Sequence, residues 1–176
     1  VLPFCETDLV GEIVIVCREK DLGLLWDWQR EYALTRVRAI VVGGASRQAS
    51  VFAGVRALSE GCSLIAIHDG ARCFVSPAVI GDAALTAHRT RAACAGVPMR
   101  DTVKRAGESG VISATLPRDD LFLAQTPQVF ERALYLEAMA QAEASGMDYT
   151  DDCQLVEALG QPVTLSKGSI LNFKLT

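Results

Sequence analysis

The chain has 176 residues, of which 50% are apolar and 22% charged, enough to bury a core as one domain and ordinary for a globular protein in water. Its formal net charge of −4 argues against a nucleic-acid binder, which carries a basic face, while leaving room for a local cluster of cations. No apolar run approaches the roughly 18 residues of a membrane span, and Val1-Leu2-Pro3-Phe4 lacks the basic lead of a signal peptide.

Along the chain, Glu12-Ile13-Val14-Ile15-Val16-Cys17 is a β-branched run that predicts a strand buried on both faces. Asp21 is placed to N-cap a helix carrying Leu24, Leu25 and Trp28. Ala39-Ile40-Val41-Val42 predicts a second strand, ending in Gly43-Gly44, and Val51, Val55 and Leu58 give a helix from Arg47 to Leu58. A third strand, Ser63-Leu64-Ile65-Ala66-Ile67, ends in His68-Asp69-Gly70-Ala71-Arg72. Ser76-Pro77 supplies a cap and an N1 proline for a helix through about Arg89. Alternating strands and helices imply right-handed crossovers and a mostly parallel sheet with helices on both faces.

The pattern then changes. From Gly96 to Gln125 short runs, Thr102-Val103-Lys104-Arg105 and Gly110 to Thr115 among them, are divided by Gly, Pro and charged turns. They predict a β excursion, an arm over about residues 100–124. Helical spacing returns from Glu131 to about Ala144 and from Asp151 to Leu159, and Pro162–Leu165 and Ile170–Leu175 are expected as two closing strands. One α/β domain spanning residues 1–176, with an arm, accounts for the whole.

Six cysteines (Cys5, Cys17, Cys62, Cys73, Cys94, Cys153) show no C-x-x-C spacing. In or beside apolar runs, they read as reduced thiols packed as small hydrophobes, which suits a reducing cytosol. The two histidines are far apart and offer no zinc-ligand spacing.

In open parallel sheets ligands bind beyond the carboxyl ends of the strands, and polar clusters collect there. Gly43-Gly44 before Ser46, Arg47 and Ser50 fits either a backbone approached by a polar or anionic ligand or a tight turn with an N-cap. His68-Asp69-Gly70-Ala71-Arg72 is the stronger signal. An apolar strand running into Asp69 and Arg72 leaves a carboxylate for a hydroxyl or divalent cation and a guanidinium for phosphate. His68 reads as a hydrogen-bonded structural histidine. Arg100 to Arg105, Arg118, Thr126 and Lys174 would complete a phosphate-rich pocket in an acidic protein.

These residues resemble a known family. Gly43-Gly44-x-x-Arg47-x-x-Ser50-Val51, His68-Asp69-Gly70-Ala71-Arg72, Val97 to Arg105, Ala124-Gln125-Thr126-Pro127-Gln128-Val129-Phe130, Tyr149-Thr150-Asp151-Asp152 and Asn172-Phe173-Lys174-Leu175-Thr176 are similar, in order, to 2-C-methyl-D-erythritol 4-phosphate cytidylyltransferases. The resemblance implies a Rossmann-like nucleotidyltransferase domain whose β-arm exchanges with a second subunit, hence a homodimer in the cytoplasm. It implies CTP and methylerythritol phosphate as substrates, pyrophosphate as product, Mg²⁺ or another divalent cation as cofactor, and a place in the non-mevalonate isoprenoid pathway. By motif, Gly44 and Ser50 would meet cytosine and ribose, and Asp69 with Gly70 would lie near ribose, metal and sugar phosphate. Arg72, Thr102, Arg118 and Thr126 would surround the methylerythritol phosphate, Arg118 from the partner's arm, and Lys174 would face the phosphates. The substrate phosphate is already a nucleophile, so the catalytic task is electrostatic.

The family pattern has a glycine-rich loop with Arg and Lys before the position of Val1 and a final helix after Thr176. The chain is therefore expected to be incomplete at both ends and inactive as printed. Ala45, Cys73 and Asp151-Asp152-Cys153 depart from the family's acidic residue, proline and Asp-Glu-Ala. Two rival readings are a ribitol-5-phosphate cytidylyltransferase and a catalytically inactive dimeric nucleotide-binding protein. A dehydrogenase is disfavoured because no G-x-G-x-x-G follows a strand.

Overall fold

The computed structural model describes residues 1–175. A helical turn α1 (Leu2–Cys5) precedes β1 (Ile13–Cys17), and a 3-10 turn leads into α2 (Leu22–Glu31). β2 (Val37–Val42), α3 (Arg47–Arg56), β3 (Leu64–Ile67) and α4 (Pro77–Thr90) follow. Next come β4 (Ala92–Pro98), the hairpin of β5 (Val103–Ala106) and β6 (Ile112–Leu116), and the long β7 (Phe122–Glu131). α5 (Arg132–Ser145), α6 (Asp152–Glu157) and β8 (Thr164–Lys167) complete the order.

Three helix starts follow the capping rule. Ser46 and Ser76 accept from the backbone N–H of Ala49 and Val79, and Asp151 accepts from Gln154. Asp21 does not cap α2. The 3-10 turn already carries the chain into the helix, so Asp21 has helical dihedrals and its carboxylate pairs with Arg18 Nε at 2.7 Å.

β1 and β2 pair in parallel, and the main sheet has the order β3-β7-β4-β8. β4 and β8 are parallel, while β7 runs antiparallel to both β3 and β4. β3, β4 and β8 thus share one direction and β7 alone opposes them. Alternate residues face opposite layers. Ala93 and Val129 pack on Ala83 and Ala87 of α4. Ala92, Cys94 and Phe130 pack on Leu134, Tyr135 and Ala138 of α5 and Leu155 and Val156 of α6.

β4 had no strand signal because Ala92-Ala93-Cys94-Ala95-Gly96 lacks β-branched residues; small side chains fit between two helical layers. The expected closing strand at Ile170–Leu175 is absent. Asn172, fully buried, donates from Nδ2 to Thr126 O (2.8 Å) and Gln125 Oε1 (3.3 Å), and Leu175 N donates to Ala71 O (2.9 Å). Side-chain bonds fasten this segment where a ladder was expected, and Ile170, Leu171 and Phe173 stay exposed. Thr176 lies outside the described residues.

The hairpin pairs only with itself among the described residues and leaves Val111 and Ile112 exposed. Cys94 and Cys153 are buried as the cysteine pattern suggested, whereas Cys73 is exposed. Among the described residues no helix is long and apolar enough to cross a membrane.

Gly168 sits where the chain leaving β8 crosses β4, its N–H donating to Gly96 O at 2.9 Å. A Cβ there would lie 2.7 Å from that oxygen and 2.6 Å from Gln125 Oε1. Gly168→Ala should lower the unfolding free energy by about 1–3 kcal/mol in a urea titration. Gly61→Ala, whose methyl meets nothing within 4 Å, is the control.

Candidate active site

The carboxyl end of β3 is where the chain's polar residues converge. Between the pairs Cys94↔Gln128 and Gly96↔Ala124, β7 spends four steps against two on β4. This bulge lifts Gln125-Thr126-Pro127 out of the ladder, a common device beside functional sites. It brings the Thr126 hydroxyl to 3.0 Å from the Asp69 N–H, which it accepts, and 3.0 Å from His68 Nδ1. His68 Nε2 lies 3.1 Å from Arg72 O, so Nε2–H is the donor there and Nδ1 accepts the Thr126 proton. His68 is thus a structural histidine, as its position in the motif indicated.

Asp69 is the centre of a charged cluster. Lys174 Nζ is 3.0 Å from its Oδ2, and Arg47 Nη2 is 3.5 Å from its Oδ1. Burial pushes the Asp69 carboxyl up, but the Lys174 hydrogen bond and the charges of Arg47, Lys174 and Arg72 outweigh it and hold the carboxyl below its ordinary value. A cavity of about 180 Å³ opens here, lined by Arg47, Asp69, Arg72, Thr126, Asp151 and Lys174 among others. Three cations against two carboxylates make it electropositive in an acidic protein, which suits a phosphorylated ligand.

Arg72 lines the cavity with its guanidinium already engaged. Nη1 donates to Asn172 O at 2.8 Å and Nη2 to Ala124 O at 3.3 Å, while buried Nε has no partner. The same arginine therefore ties the C-terminal segment to β7 and adds positive charge to the cavity.

Behind the cavity is a group that the motifs contained without revealing its role. Arg47, at the start of α3, reaches Asp152 Oδ2 at 2.8 Å. The contact lies outside hydrogen-bond alignment, so this buried oxygen has charge contact but no hydrogen-bond donor. Asp152 Oδ1 accepts from the Tyr135 hydroxyl at 2.6 Å. Burial raises the Asp152 carboxyl pKa against the opposing charge of Arg47, and burial likewise raises that of the Tyr135 phenol. Arg47 and Asp152 stood in the quoted motifs, and Tyr135 had only its helical position to mark it.

The structure brings Asp69, Arg72, Thr126 and Lys174 together, with Gly70 exposed beside them. Gly44 lies in the neighbouring turn and Ser50 in the first turn of α3, and neither lines this cavity. Ser50 Oγ accepts from Gly44 N at 3.1 Å and donates to Ser46 O at 2.8 Å. A Cβ on Gly44 would lie 2.5 Å from that of Ala49, so glycine here serves the close return of α3 onto the turn. Thr102 and Arg118 flank the arm strands, both exposed and away from the cavity of their own chain, with Arg118 Nη1 donating to Arg100 O at 2.5 Å.

For a metal, Asp69 is the candidate ligand. Among the described residues no cluster of three or more His, Cys, Asp or Glu could cage one. A single carboxylate fits Mg²⁺, which keeps several waters and takes its other ligands from substrate phosphates.

Comparisons with known proteins agree with one another. The model of the family described as "IspD: 2-C-methyl-D-erythritol 4-phosphate cytidylyltransferase" matches residues 1–176. The 2-C-methyl-D-erythritol 4-phosphate cytidylyltransferase of Halalkalibacterium halodurans is 42% identical over 173 residues, 98% of this chain and 75% of the relative. That of Syntrophus aciditrophicus is 42% identical over 169 residues, covering 96% and 72% respectively. The crystal structure of 4-diphosphocytidyl-2C-methyl-D-erythritol synthase from Anaerococcus prevotii superposes with a TM-score of 0.89 at 28% identity, over 99% of this chain and 77% of that one.

His68 also gives the site a pH signature. Burial holds its pKa below 6.5, outweighing the Arg72 carbonyl and the Asp69 charge. The unfolded chain then takes up a proton at a pH where the folded protein does not. The stability associated with neutral His68 is complete above pH 6.5 and is lost as the pH falls from there to the folded pKa. Between pH 7 and 5, His68→Gln should lose less unfolding free energy than the wild type, by up to about 1.4 kcal/mol per pH unit. Urea titrations at the two pH values check it.

Proposed function

The chain belongs to the 2-C-methyl-D-erythritol 4-phosphate cytidylyltransferase family, and we propose that the cavity around Asp69 is where it performs that family's chemistry. It is a nucleotidyltransferase, transferring CMP from CTP to 2-C-methyl-D-erythritol 4-phosphate with release of pyrophosphate, on the way to isoprenoid precursors. The family assignment favours this reaction over ribitol phosphate transfer and over a silent nucleotide-binding role.

The observation that supports the siting is the pairing of Arg47 and Lys174 with one half-buried carboxylate in a cavity that Arg72 also lines. An oxygen of the substrate phosphate attacks the α-phosphorus of CTP, a new P–O bond forms, and the bond to the β-phosphate oxygen breaks. Two anions must meet and charge must build on the oxygens in flight. Fixed cations lower that barrier without reorganising at the moment of reaction. In this reading Lys174 faces the phosphates in transfer, and Arg72 and Thr126 hold the sugar phosphate. Gly44 and Ser50 take the cytosine and ribose, and Gly70 lets the ligand approach Asp69. Asp69 would hold Mg²⁺, which when bound neutralises charge between phosphate oxygens.

A homodimer belongs to the same proposal. Thr102 and Arg118 lie away from their own chain's cavity, and the hairpin presents exposed Val111 and Ile112; both features support an arm that serves a second subunit. A cytoplasmic location accords with six free thiols.

Asp69→Asn in the full-length protein should cut pyrophosphate release from CTP, Mg²⁺ and methylerythritol phosphate by roughly 10²–10³-fold. Activity that survives this change, or that appears only with ribitol phosphate, contradicts the siting or the substrate. Mixing inactive Asp69→Asn with inactive Arg118→Ala should restore about a quarter of the wild-type rate, because mixed dimers hold one intact site. No recovery after subunit exchange contradicts the shared arm.

A further inference from the structure

Tyr135, Asp152 and Arg47 form a line of polar groups running from the core to the cavity, and the transfer described above makes no use of its inner two members. Tyr135 is 0% exposed and Asp152 3%. A buried charge pair is a weak stabiliser, and apolar residues of similar volume fill such a space as well. Packing alone therefore gives no reason for a carboxylate in this place. Its geometry does. The Tyr135 hydroxyl grips Oδ1 at 2.6 Å, and the Asp152 N–H donates to Gln128 Oε1 at 3.0 Å. With its backbone and one carboxylate oxygen so fixed, Asp152 turns Oδ2 to Arg47 at 2.8 Å, while the same Arg47 nitrogen stands 3.5 Å from Asp69.

We propose that Asp152, clamped by Tyr135, is a positioning residue that holds Arg47 back from full contact with Asp69 and so keeps the Asp69 carboxylate open to the cavity. This rests on the reading of Asp69 given above. Lys174 already occupies Oδ2 of Asp69 at 3.0 Å, so Oδ1 is the oxygen left for a ligand. Without the Asp152 charge, Asp69 is the carboxylate with which Arg47 is already paired, and Arg47 closes on that oxygen. A charge-assisted contact of this kind is among the stronger protein hydrogen bonds; it withdraws that oxygen from the transfer while Arg72, Thr126 and Lys174 still line the cavity for substrate, so the loss falls on turnover.

Asp152→Asn tests it, because the amide oxygen still accepts from Tyr135 while the charge is removed. In the full-length protein kcat should fall about 10-fold, with KM for both substrates changing by less than about 3-fold. In an Arg47→Gln background the same Asp152→Asn change should cost less than about 2-fold, since the group it restrains is gone. A crystal structure of Asp152→Asn should show Arg47 within about 3 Å of Asp69. An equal loss in both backgrounds, or an Arg47 that has not moved, overturns the proposal. If wild-type protein releases no pyrophosphate, the functional reading fails and the Arg47 position in the crystal decides the positioning role alone. If Asp152→Asn does not fold, Tyr135→Phe replaces it: a smaller kcat loss with Arg47 shifted toward Asp69 supports the restraint, and an unshifted Arg47 overturns it.

Discussion

The threonine hydroxyl at the β7 bulge is the join on which the site depends. Thr126 Oγ takes the Asp69 N–H and gives its proton to His68, while its carbonyl takes the Asn172 amide. Three stretches far apart in sequence, around residues 69, 126 and 172, are thereby held within one hydrogen-bonded group. None of these bonds belongs to a helix or a ladder. They exist because the bulge withdraws Gln125 and Thr126 from strand pairing and frees their polar groups for cross-links, which burial then obliges them to make.

The charges are arranged around this join at some expense to stability. Gathering Arg47, Arg72 and Lys174 in one cavity sets like charges against each other, and the protein offsets this with Asp69, Asp151 and buried Asp152. Arg72 shows the compromise most clearly, since two of its nitrogens bind backbone carbonyls and a third buried nitrogen has no partner. Sites arranged in advance for an anionic ligand commonly carry such unbalanced groups.

What periodicity can see, it saw. The β-branched runs of β1 to β3, the serine caps of α3 and α4, and the strands of the β5–β6 hairpin were legible because they are local patterns. β4 was not, because its alanines and Gly96 carry no strand preference and acquire one only between two helical layers. The segment at Ile170–Leu175 looked like a strand by composition, yet buried Asn172 decides its path through contacts 46 and 47 residues away. The site divides in the same way. Asp69 and Arg72 announced themselves at a strand end, while Thr126 and Lys174 counted only as parts of a cluster to which family motifs gave roles. The link from Arg47 to Asp152 and Tyr135 spans α3, α5 and α6, and no local spacing encodes such a pairing.

β7 is a strand of ten residues whose first residues leave the arm, whose bulge carries Thr126 and whose last residues take Phe130 into the core. Arm and cavity are thus joined through one strand, with the cavity's hydroxyl at its bulge. A grip on the arm that shifts this strand is felt at the hydroxyl bonded to the Asp69 N–H, and a ligand that shifts the same hydroxyl is felt back at the arm. Thermodynamic reciprocity makes the two effects equal. If association through the arm tightens ligand binding by some factor, ligand must tighten association by that same factor, so the affinity of subunits for each other becomes a readout of occupancy in the cavity.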